Sequence, residues 1–293
     1  MTSRPDWFDA DLYPFDSHWT TVGGATVHHT DVGDGPPLLM IHGQPTWSFL
    51  YRKMIAGLSD TFRCIAVDLP GFGLSTAPDG YGFTAREHSE VVEGLVEALD
   101  LRDIVLVGQD WGGPIGMGVA TRQPDRFQAF ILGNTWAWVM PAERRIRMFS
   151  RTLGTGFTGN LLSKRLHVFT NVFMKRGMRR TSPSKGDMVM WRGPHPTPES
   201  REPVEVFPRE LLDAEPFLAE IEAALEGVAD KPALLFHADK DLAFGWREAK
   251  RWQEVFPDHR FHVLEGAGHF WQDDAGPEAV LVIRDWWRNV SAR

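Results

Sequence analysis

The sequence is short of cysteine and has no long apolar run. Cys64 is the only cysteine among 293 residues, so no disulfide can form within the chain. We expect Cys64 to be a buried core thiol because it lies in the apolar run 62–67. No stretch of about 18 apolar residues occurs, and residues 1–7 lack the apolar region of a signal peptide. These absences predict a cytoplasmic protein with no membrane partner.

Basic charge and tyrosine are also scarce. The chain has 31 Lys and Arg against 39 Asp and Glu, and its net charge is -8. A phosphate backbone would be repelled by this balance, so nucleic acid is not an expected partner. The 3 tyrosines contrast with 12 tryptophans and 19 phenylalanines. Indole N–H groups donate hydrogen bonds but cannot act as acids, so the aromatic content favours donors over phenolic acids.

Apolar runs alternate with amphipathic stretches, which predicts an α/β protein with a mostly parallel sheet. Residues 19–32 form an expected hairpin around Gly23-Gly24, and residues 85–99 an expected helix. Six further strands are predicted at 37–41, 62–67, 104–107, 127–132, 233–236 and 260–264.

The alternation stops between residues 135 and 229. This region has no convincing strand and contains helix-compatible stretches at 144–151 and 174–180, followed by a proline-rich passage from Pro194 to Pro208. Because strands resume afterwards, we expect a helical insertion into one eight-stranded sheet. The predicted organisation is a main domain of residues 1–134 and 230–293, with a helical cap at 135–229 after the sixth strand.

The turn after the strand at 104–107 carries the first chemical signal. Its sequence is Gly108-Gln109-Asp110-Trp111-Gly112-Gly113, and a helix-compatible stretch follows. A strand, a tight glycine-flanked turn and a helix are the context of a nucleophile elbow, here with Asp110 where serine is usual. An aspartate in this position also suits a helix N-cap, so the motif alone leaves both readings open.

Two loops supply partners for this aspartate. His269 follows the last predicted strand in a glycine-rich loop and is the expected base, while His42 is expected to make a structural hydrogen bond in its own loop. Asp241 follows the preceding strand and is the preferred orienting acid, with Asp239 as a turn or capping residue. The order nucleophile, acid, histidine is that of α/β-hydrolases.

An aspartate nucleophile restricts the chemistry. It is ionised at neutral pH and attacks carbon directly, which leaves the histidine free to activate water against the resulting ester. The leaving group is then a halide, which needs donors, or an epoxide oxygen, which needs an acid. Tyr13, Tyr51 and Tyr81 all lie outside the insertion, so no cap tyrosine can supply that acid. Trp111 and Gln44 offer N–H donors, although packing and loop support also explain them.

At these residues the chain resembles haloalkane dehalogenases of the α/β-hydrolase superfamily. The matching segments are HGQPTWSFLYR at 42–52, DLPGFGLS at 68–75, QDWGG at 109–113 and GHF at 268–270. The resemblance extends over nearly the whole chain and is weakest in the cap. It is closest to the subgroup with an Asp-His-Asp triad, which the sequence GNTWAW at 133–138 also fits.

The resemblance implies a role for each site residue. Asp110 would be the nucleophile, His269 the base and Asp241 the acid, with Trp111 as a halide ligand. The backbone N–H groups of Gln44 and Trp111 would form the oxyanion hole. No cofactor or metal is implied; the expected partners are a halogenated alkane, water and a halide ion, and a homo-oligomer is left open.

The chain departs from the family pattern at one position. The Asp-His-Asp subgroup usually has Asn where this chain has Gln44, and another subgroup has Glu there together with a second halide-binding Trp in the cap. Trp191 is the only tryptophan well inside the insertion, and its context does not match that second ligand. The alternatives are an epoxide hydrolase, a fluoroacetate dehalogenase, a monooxygenase, and a weakly active or non-catalytic binder of small molecules. A fluoroacetate dehalogenase would favour an Arg soon after the nucleophile.

Overall fold

A computed structural model describes residues 4–141 and 143–292 and contains one eight-stranded sheet. The strands are β1 (His18–Val22), β2 (Ala25–Val32), β3 (Pro37–Ile41), β4 (Arg63–Val67), β5 (Ile104–Asp110), β6 (Phe127–Thr135), β7 (Ala233–Ala238) and β8 (His259–Leu264). Their order across the sheet is β1-β2-β4-β3-β5-β6-β7-β8. The pairs β1/β2 and β2/β4 are antiparallel and the others are parallel. The predicted mostly parallel, eight-stranded sheet is confirmed.

Helices flank this sheet. In the main body they are α1 (Arg52–Leu58), α2 (Ala85–Ala98), α3 (Gly112–Arg122), α10 (Trp246–Val255), α11 (Trp271–Asp274) and α12 (Gly276–Val290). Helix α2 begins at a capping box in which Thr84 and Glu87 each accept a hydrogen bond from the other's backbone. Its buried face includes Val91, Val92, Leu95 and Val96, which recur at helical spacing, together with His88 and Ser89.

The residues between β6 and β7, at 136–232, are here called the inserted segment. Its helices are α4 (Arg144–Gly154), α5 (Gly156–Gly159), α6 (Met174–Gly177), α7 (Lys185–Arg192), α8 (Glu202–Asp213) and α9 (Glu215–Ala224). Short 3-10 and π-helical turns lie between them, and no strand occurs among the described residues of the segment. The exact domain boundaries stay a prediction.

Two details of the segment differ from expectation. The proline-rich passage is partly helical, because Pro203 lies in the first turn of α8, where a missing N–H costs nothing, and Pro208 lies inside the same helix. The helix expected at 174–180 ends at Gly177, since Met178 adopts an extended backbone.

Three central strands are longer than their apolar runs. β5 continues to Asp110, β6 to Thr135 and β7 to Ala238. The residues added at these carboxyl ends are largely polar, so apolar periodicity could not detect them. Cys64 is fully buried, as expected. Within the described part of the chain, no helix is long and apolar enough to cross a bilayer, and the cytoplasmic assignment stays a prediction.

Candidate active site

Asp110 ends β5 immediately before α3 and has a strained backbone. Its φ of 50° lies in the left-handed region, which a residue with a side chain rarely adopts. The Thr135 hydroxyl donates to the Asp110 carbonyl at 2.6 Å and supports this turn. A β-carbon at Gly43 would lie 2.3 Å from Asp110 Oδ1, so only glycine allows the loop after β3 to approach so closely. Such concentrated strain is typical of functional sites.

Backbone donors face the Asp110 carboxylate. The Gln44 N–H donates to Oδ1 at 2.7 Å, and the neighbouring Trp111 N–H also favours the charged carboxylate. The amino end of α3 follows directly and adds a favourable dipole. Burial raises the pKa of Asp110 above its usual value, while the positive His269 and the two N–H groups oppose that rise.

His269 lies between two carboxylates. Its Nδ1 donates to Asp241 Oδ2 at 2.9 Å, and its Nε2 lies 3.6 Å from Asp110 Oδ2. Burial by itself lowers the pKa of this imidazole, but the charge and hydrogen bond of Asp241, followed by the charge of Asp110, raise it to about 9. Phe244 stacks on the ring at 5.9 Å between centroids. The structure therefore brings the three predicted triad residues together in the expected order of contacts.

The two candidate acids have different surroundings. Asp241 is fixed by Asn134 Nδ2 at 2.9 Å and by the Ala243 N–H at 2.7 Å, so one oxygen stays directed at the histidine. Asn134 is itself held because its Oδ1 accepts the Ala238 N–H at 2.8 Å. Asp239 instead accepts the Gly266 N–H at 2.5 Å, which connects its loop to the loop after β8 rather than closing a local turn.

The two predicted side-chain donors to a halide differ in availability. The Trp111 side chain is buried, and its indole N–H makes no hydrogen bond within the described residues. Phe207 of α8 stacks on its ring at 5.2 Å. The Gln44 amide already donates to the Val204 carbonyl of α8 at 2.6 Å. Its backbone N–H therefore faces the nucleophile, while its side chain connects this loop to the inserted segment.

The other residues singled out in the sequence lie in structural positions. His42 Nδ1 contacts the Gly43 carbonyl at 2.9 Å, and its Nε2 accepts the Leu69 N–H at 3.0 Å. Burial lowers the pKa of His42 to about 4, which suits a neutral structural imidazole. Trp191 is buried with its ring edge-to-face on Phe49, 4.8 Å between centroids.

Several site neighbours were missed by the sequence analysis. Gln109 Nε2 lies 2.9 Å from His269 Nε2 and donates to the His269 carbonyl at 3.1 Å. Gln109 and Asn134 both stand in motifs quoted for the family resemblance, so their positions were visible but their partners were not. Phe207 and Phe244 carry no motif that marks them as site residues.

One carboxylate joins the loop of His269 to the inserted segment. Asp274, the last residue of α11, accepts the Gly268 N–H at 2.8 Å on Oδ2. It also accepts backbone N–H groups of the inserted segment from Arg179 at 2.8 Å, Arg180 at 2.8 Å and Thr181 at 2.7 Å. The loop of the predicted base is thus fixed from outside the triad.

No cluster of three or more His, Cys, Asp or Glu side chains suited to a metal ion occurs in residues 4–141 and 143–292.

Comparison with known proteins identifies the class of protein to which this chain belongs. A model of the alpha/beta hydrolase fold matches residues 36–275, so the chain is an α/β hydrolase. Haloalkane dehalogenase 2 of Mycobacterium tuberculosis is 39% identical over 278 residues, covering 94% of this chain and 96% of that protein. The chain belongs to the haloalkane dehalogenase family. The predicted family and enzyme class are thereby confirmed, whereas the Asp-His-Asp subgroup stays a prediction.

The chain is also similar to a relative with a different named activity and to solved dehalogenase structures. A cis-3-alkyl-4-alkyloxetan-2-one decarboxylase of Shewanella oneidensis is 30% identical over 282 residues, covering 93% of this chain and 88% of that protein. The crystal structure of haloalkane dehalogenase DbeA from Bradyrhizobium elkani superposes with a TM-score of 0.86 at 25% identity, covering 95% of this chain and 99% of that one.

Proposed function

We propose that the protein hydrolyses haloalkanes to an alcohol, a halide ion and a proton through an ester on Asp110. The observation that carries this proposal is the asymmetric setting of the Asp110 carboxylate. Oδ1 accepts the Gln44 N–H, while Oδ2 faces His269 at 3.6 Å and is the oxygen left to react. An aspartate so placed attacks an alkyl carbon without a general base.

In the first step Asp110 Oδ2 forms a bond to the substrate carbon as the carbon–halogen bond breaks. The halogen leaves with the bonding electron pair as a halide ion. The indole N–H of Trp111, which has no acceptor among the described residues, is the donor proposed to stabilise it. Oδ1 remains as the ester carbonyl oxygen.

In the second step His269 takes a proton from water, and the hydroxide oxygen attacks the ester carbon of Asp110. Negative charge develops on Oδ1, where the N–H groups of Gln44 and Trp111 stabilise it. The alkyl–oxygen leaving group takes the proton from His269 and departs as the alcohol. Asp110 is left as a carboxylic acid, which releases the second proton of the water to solvent and so regenerates the carboxylate. Asp241 keeps Nδ1 protonated and stabilises the imidazolium.

Epoxide opening is less well supported because all three phenols are already engaged. Tyr51 donates to the Ile41 carbonyl at 2.8 Å, Tyr13 donates to Ser48 Oγ at 2.9 Å, and the Tyr81 oxygen lies 3.2 Å from His88 Nδ1. Burial raises the pKa of each tyrosine far above its ordinary value. None of them suits protonation of an epoxide oxygen.

A second candidate is the opening of a four-membered lactone. The Gln44 amide, the second predicted halide donor, is bonded to Val204, which leaves Trp111 as the side-chain donor to a halide. A lactone attacked at its alkyl carbon releases a carboxylate, which also needs donors and no acid. The carboxylate stays on the substrate, and its loss as carbon dioxide, with the C–C bonding electrons forming an alkene as the alkyl–oxygen bond to Asp110 breaks, is the decarboxylation for which the 30% identical relative is named.

The test is halide release from chloro-, bromo- and iodoalkanes of short and medium length, run beside epoxide, ester and dialkyl-oxetanone panels. We expect turnover of the haloalkanes with the order iodo and bromo above chloro. His269→Ala should release about one halide per enzyme and then stop, with an alkyl adduct on Asp110 detected by mass spectrometry. Turnover of an oxetanone alone would select the second candidate, and absence of the adduct would exclude the two-step scheme.

A further inference from the structure

The inserted segment contains a strongly basic part within an acidic protein. Residues 143–192 include twelve Lys and Arg and two Asp and Glu, a net charge of +10. The remaining residues carry -18, since the whole chain carries -8. The whole-chain balance, which argued against a nucleic-acid partner, therefore conceals a segment of the opposite sign.

Helix α4 concentrates this charge on its outer face. Ser150, Leu153 and Gly154 are buried on the inner face, whereas Met148 on the outer face is 62% exposed. Three exposed arginines stand three or four residues from Met148 and are its neighbours on the helix surface: Arg144, Arg145 and Arg151. The outer face of α4 thus presents the apolar side chain of Met148 surrounded by guanidinium groups.

These arginines are not neutralised within the protein. Among the described residues, no carboxylate lies within ion-pair distance of Arg144, Arg145, Arg147 or Arg151. Arg147 lies three residues after Arg144 and four before Arg151, spacings at which like charges destabilise a helix. The fold therefore tolerates repulsion that a negatively charged surface would relieve.

Two further exposed apolar side chains lie on the elements that pack against α4. Phe157 on α5 is 82% exposed and Leu166 is 55% exposed. Both belong to one packed unit, because α4 packs on α5 and on the π-helical turn Asn160–Arg165 that precedes Leu166. Arg165 is also exposed and lies next to Leu166.

We propose that this surface, formed by α4, α5 and residues 165–166, docks on an anionic lipid bilayer. Basic residues around exposed aliphatic and aromatic side chains are the pattern of helices that lie in a membrane interface, where arginine binds lipid phosphates and the apolar groups enter the acyl boundary. Nucleic acid would use the arginines but offers nothing to Met148, Phe157 and Leu166. The docking needs no membrane-spanning helix.

The experiment is co-sedimentation of the full chain with vesicles of phosphatidylcholine alone or with about one third phosphatidylglycerol, at about 0.15 M salt. We expect at least tenfold stronger binding to the anionic vesicles, lost at about 1 M salt. The variant R145E/R147E/R151E should bind at least tenfold more weakly, because each basic residue near such a surface is worth roughly fivefold. F157S should weaken binding several-fold.

The matched control is R102E/K250E/R288E, which makes the same change in net charge at exposed positions of the main body. It should bind the vesicles within twofold of the unaltered chain. Thermal unfolding and halide release from a water-soluble substrate should be alike in both triple variants, which separates docking from folding and from the proposed function. Equal loss in the two triple variants, absence of vesicle binding, tighter binding to duplex DNA, or self-association abolished by R145E/R147E/R151E would each overturn the proposal.

Discussion

Two aspartates at the carboxyl ends of strands in one sheet have opposite surroundings. Asp68 follows β4 and Asp110 ends β5, with β3 between these strands. Asp68 is fully buried and accepts hydrogen bonds from the Ser48 N–H at 2.8 Å, the Leu74 N–H at 2.8 Å and His28 at 2.7 Å. The Asp110 side chain is 13% exposed, and its Oδ2 faces an imidazole 3.6 Å away.

The pKa values of the two carboxyl groups are shifted in opposite directions. Burial raises the pKa of both carboxyls, but for Asp68 the charge and hydrogen bond of His28 and the Leu74 N–H outweigh it and hold the pKa below its usual value. For Asp110 burial prevails and the pKa is raised. Both oxygens of Asp68 accept hydrogen bonds from the protein, whereas Oδ2 of Asp110 faces only an imidazole at 3.6 Å, as the proposed reaction requires.

The largest contrast is expected from removing each carboxylate. Asp110→Ala should abolish halide release, by roughly 10⁴-fold or more, because the bond-forming atom is lost. Its free energy of unfolding should change little, since a buried charge is removed with it. Asp68→Ala should instead cost about 3–5 kcal/mol of stability, because the hydrogen bonds and ion pair of a fully buried group are broken. Urea unfolding measures the stability of the two variants, and steady-state halide release measures their activity. A comparable loss of stability in Asp110→Ala and Asp68→Ala would contradict the assigned difference between a reacting and a structural carboxylate.

The second contrast concerns the two acids on the loop after β7. Asp241→Asn should slow hydrolysis of the ester by roughly 10³–10⁴-fold, because the amide no longer stabilises a positive His269. Asp239→Asn serves as the matched control and should retain activity within a few-fold. Rapid-quench measurement of the alkyl adduct should show accumulation only in Asp241→Asn. Accumulation in Asp239→Asn instead would transfer the acid role to that residue.

The smallest contrast is in pH dependence. The pKa of His269 is raised to about 9 and that of His42 is lowered to about 4. Of these two histidines, only His269 should therefore titrate between pH 8 and 10 when the free enzyme is followed by NMR. Because the folded pKa of His269 exceeds its unfolded value of about 6.5, its stabilising contribution is complete below that pH and is lost as pH rises through about 9. Esterification neutralises Asp110, which should lower the pKa of His269 and make it a base when water must be activated. A hydrolysis profile with its midpoint still near 9 would contradict this.

The sequence indicated the sheet and the strand-end residues because both follow from local patterns. Apolar runs located six strands, the Gly23-Gly24 turn indicated the hairpin of the other two, and the glycine-rich turns placed Asp110 and His269 at strand ends. The contacts of Gln44 and Asn134 were not predictable, since their partners Val204 and Asp241 lie 160 and 107 residues away. The basic surface of α4 was overlooked for a different reason: a net charge averages over faces that the fold separates.

The position of Asp274 has a consequence for motion. This carboxylate is shared between Gly268, which precedes the predicted base, and the backbone of residues 179–181 in the inserted segment. Lifting this end of the segment must either break four hydrogen bonds to the Asp274 carboxylate, one of them from the Thr181 hydroxyl, or displace the backbone next to His269. The position of residues 179–181 and the backbone of the loop that carries His269 are therefore coupled through one side chain, so a displacement of either is transmitted to the other.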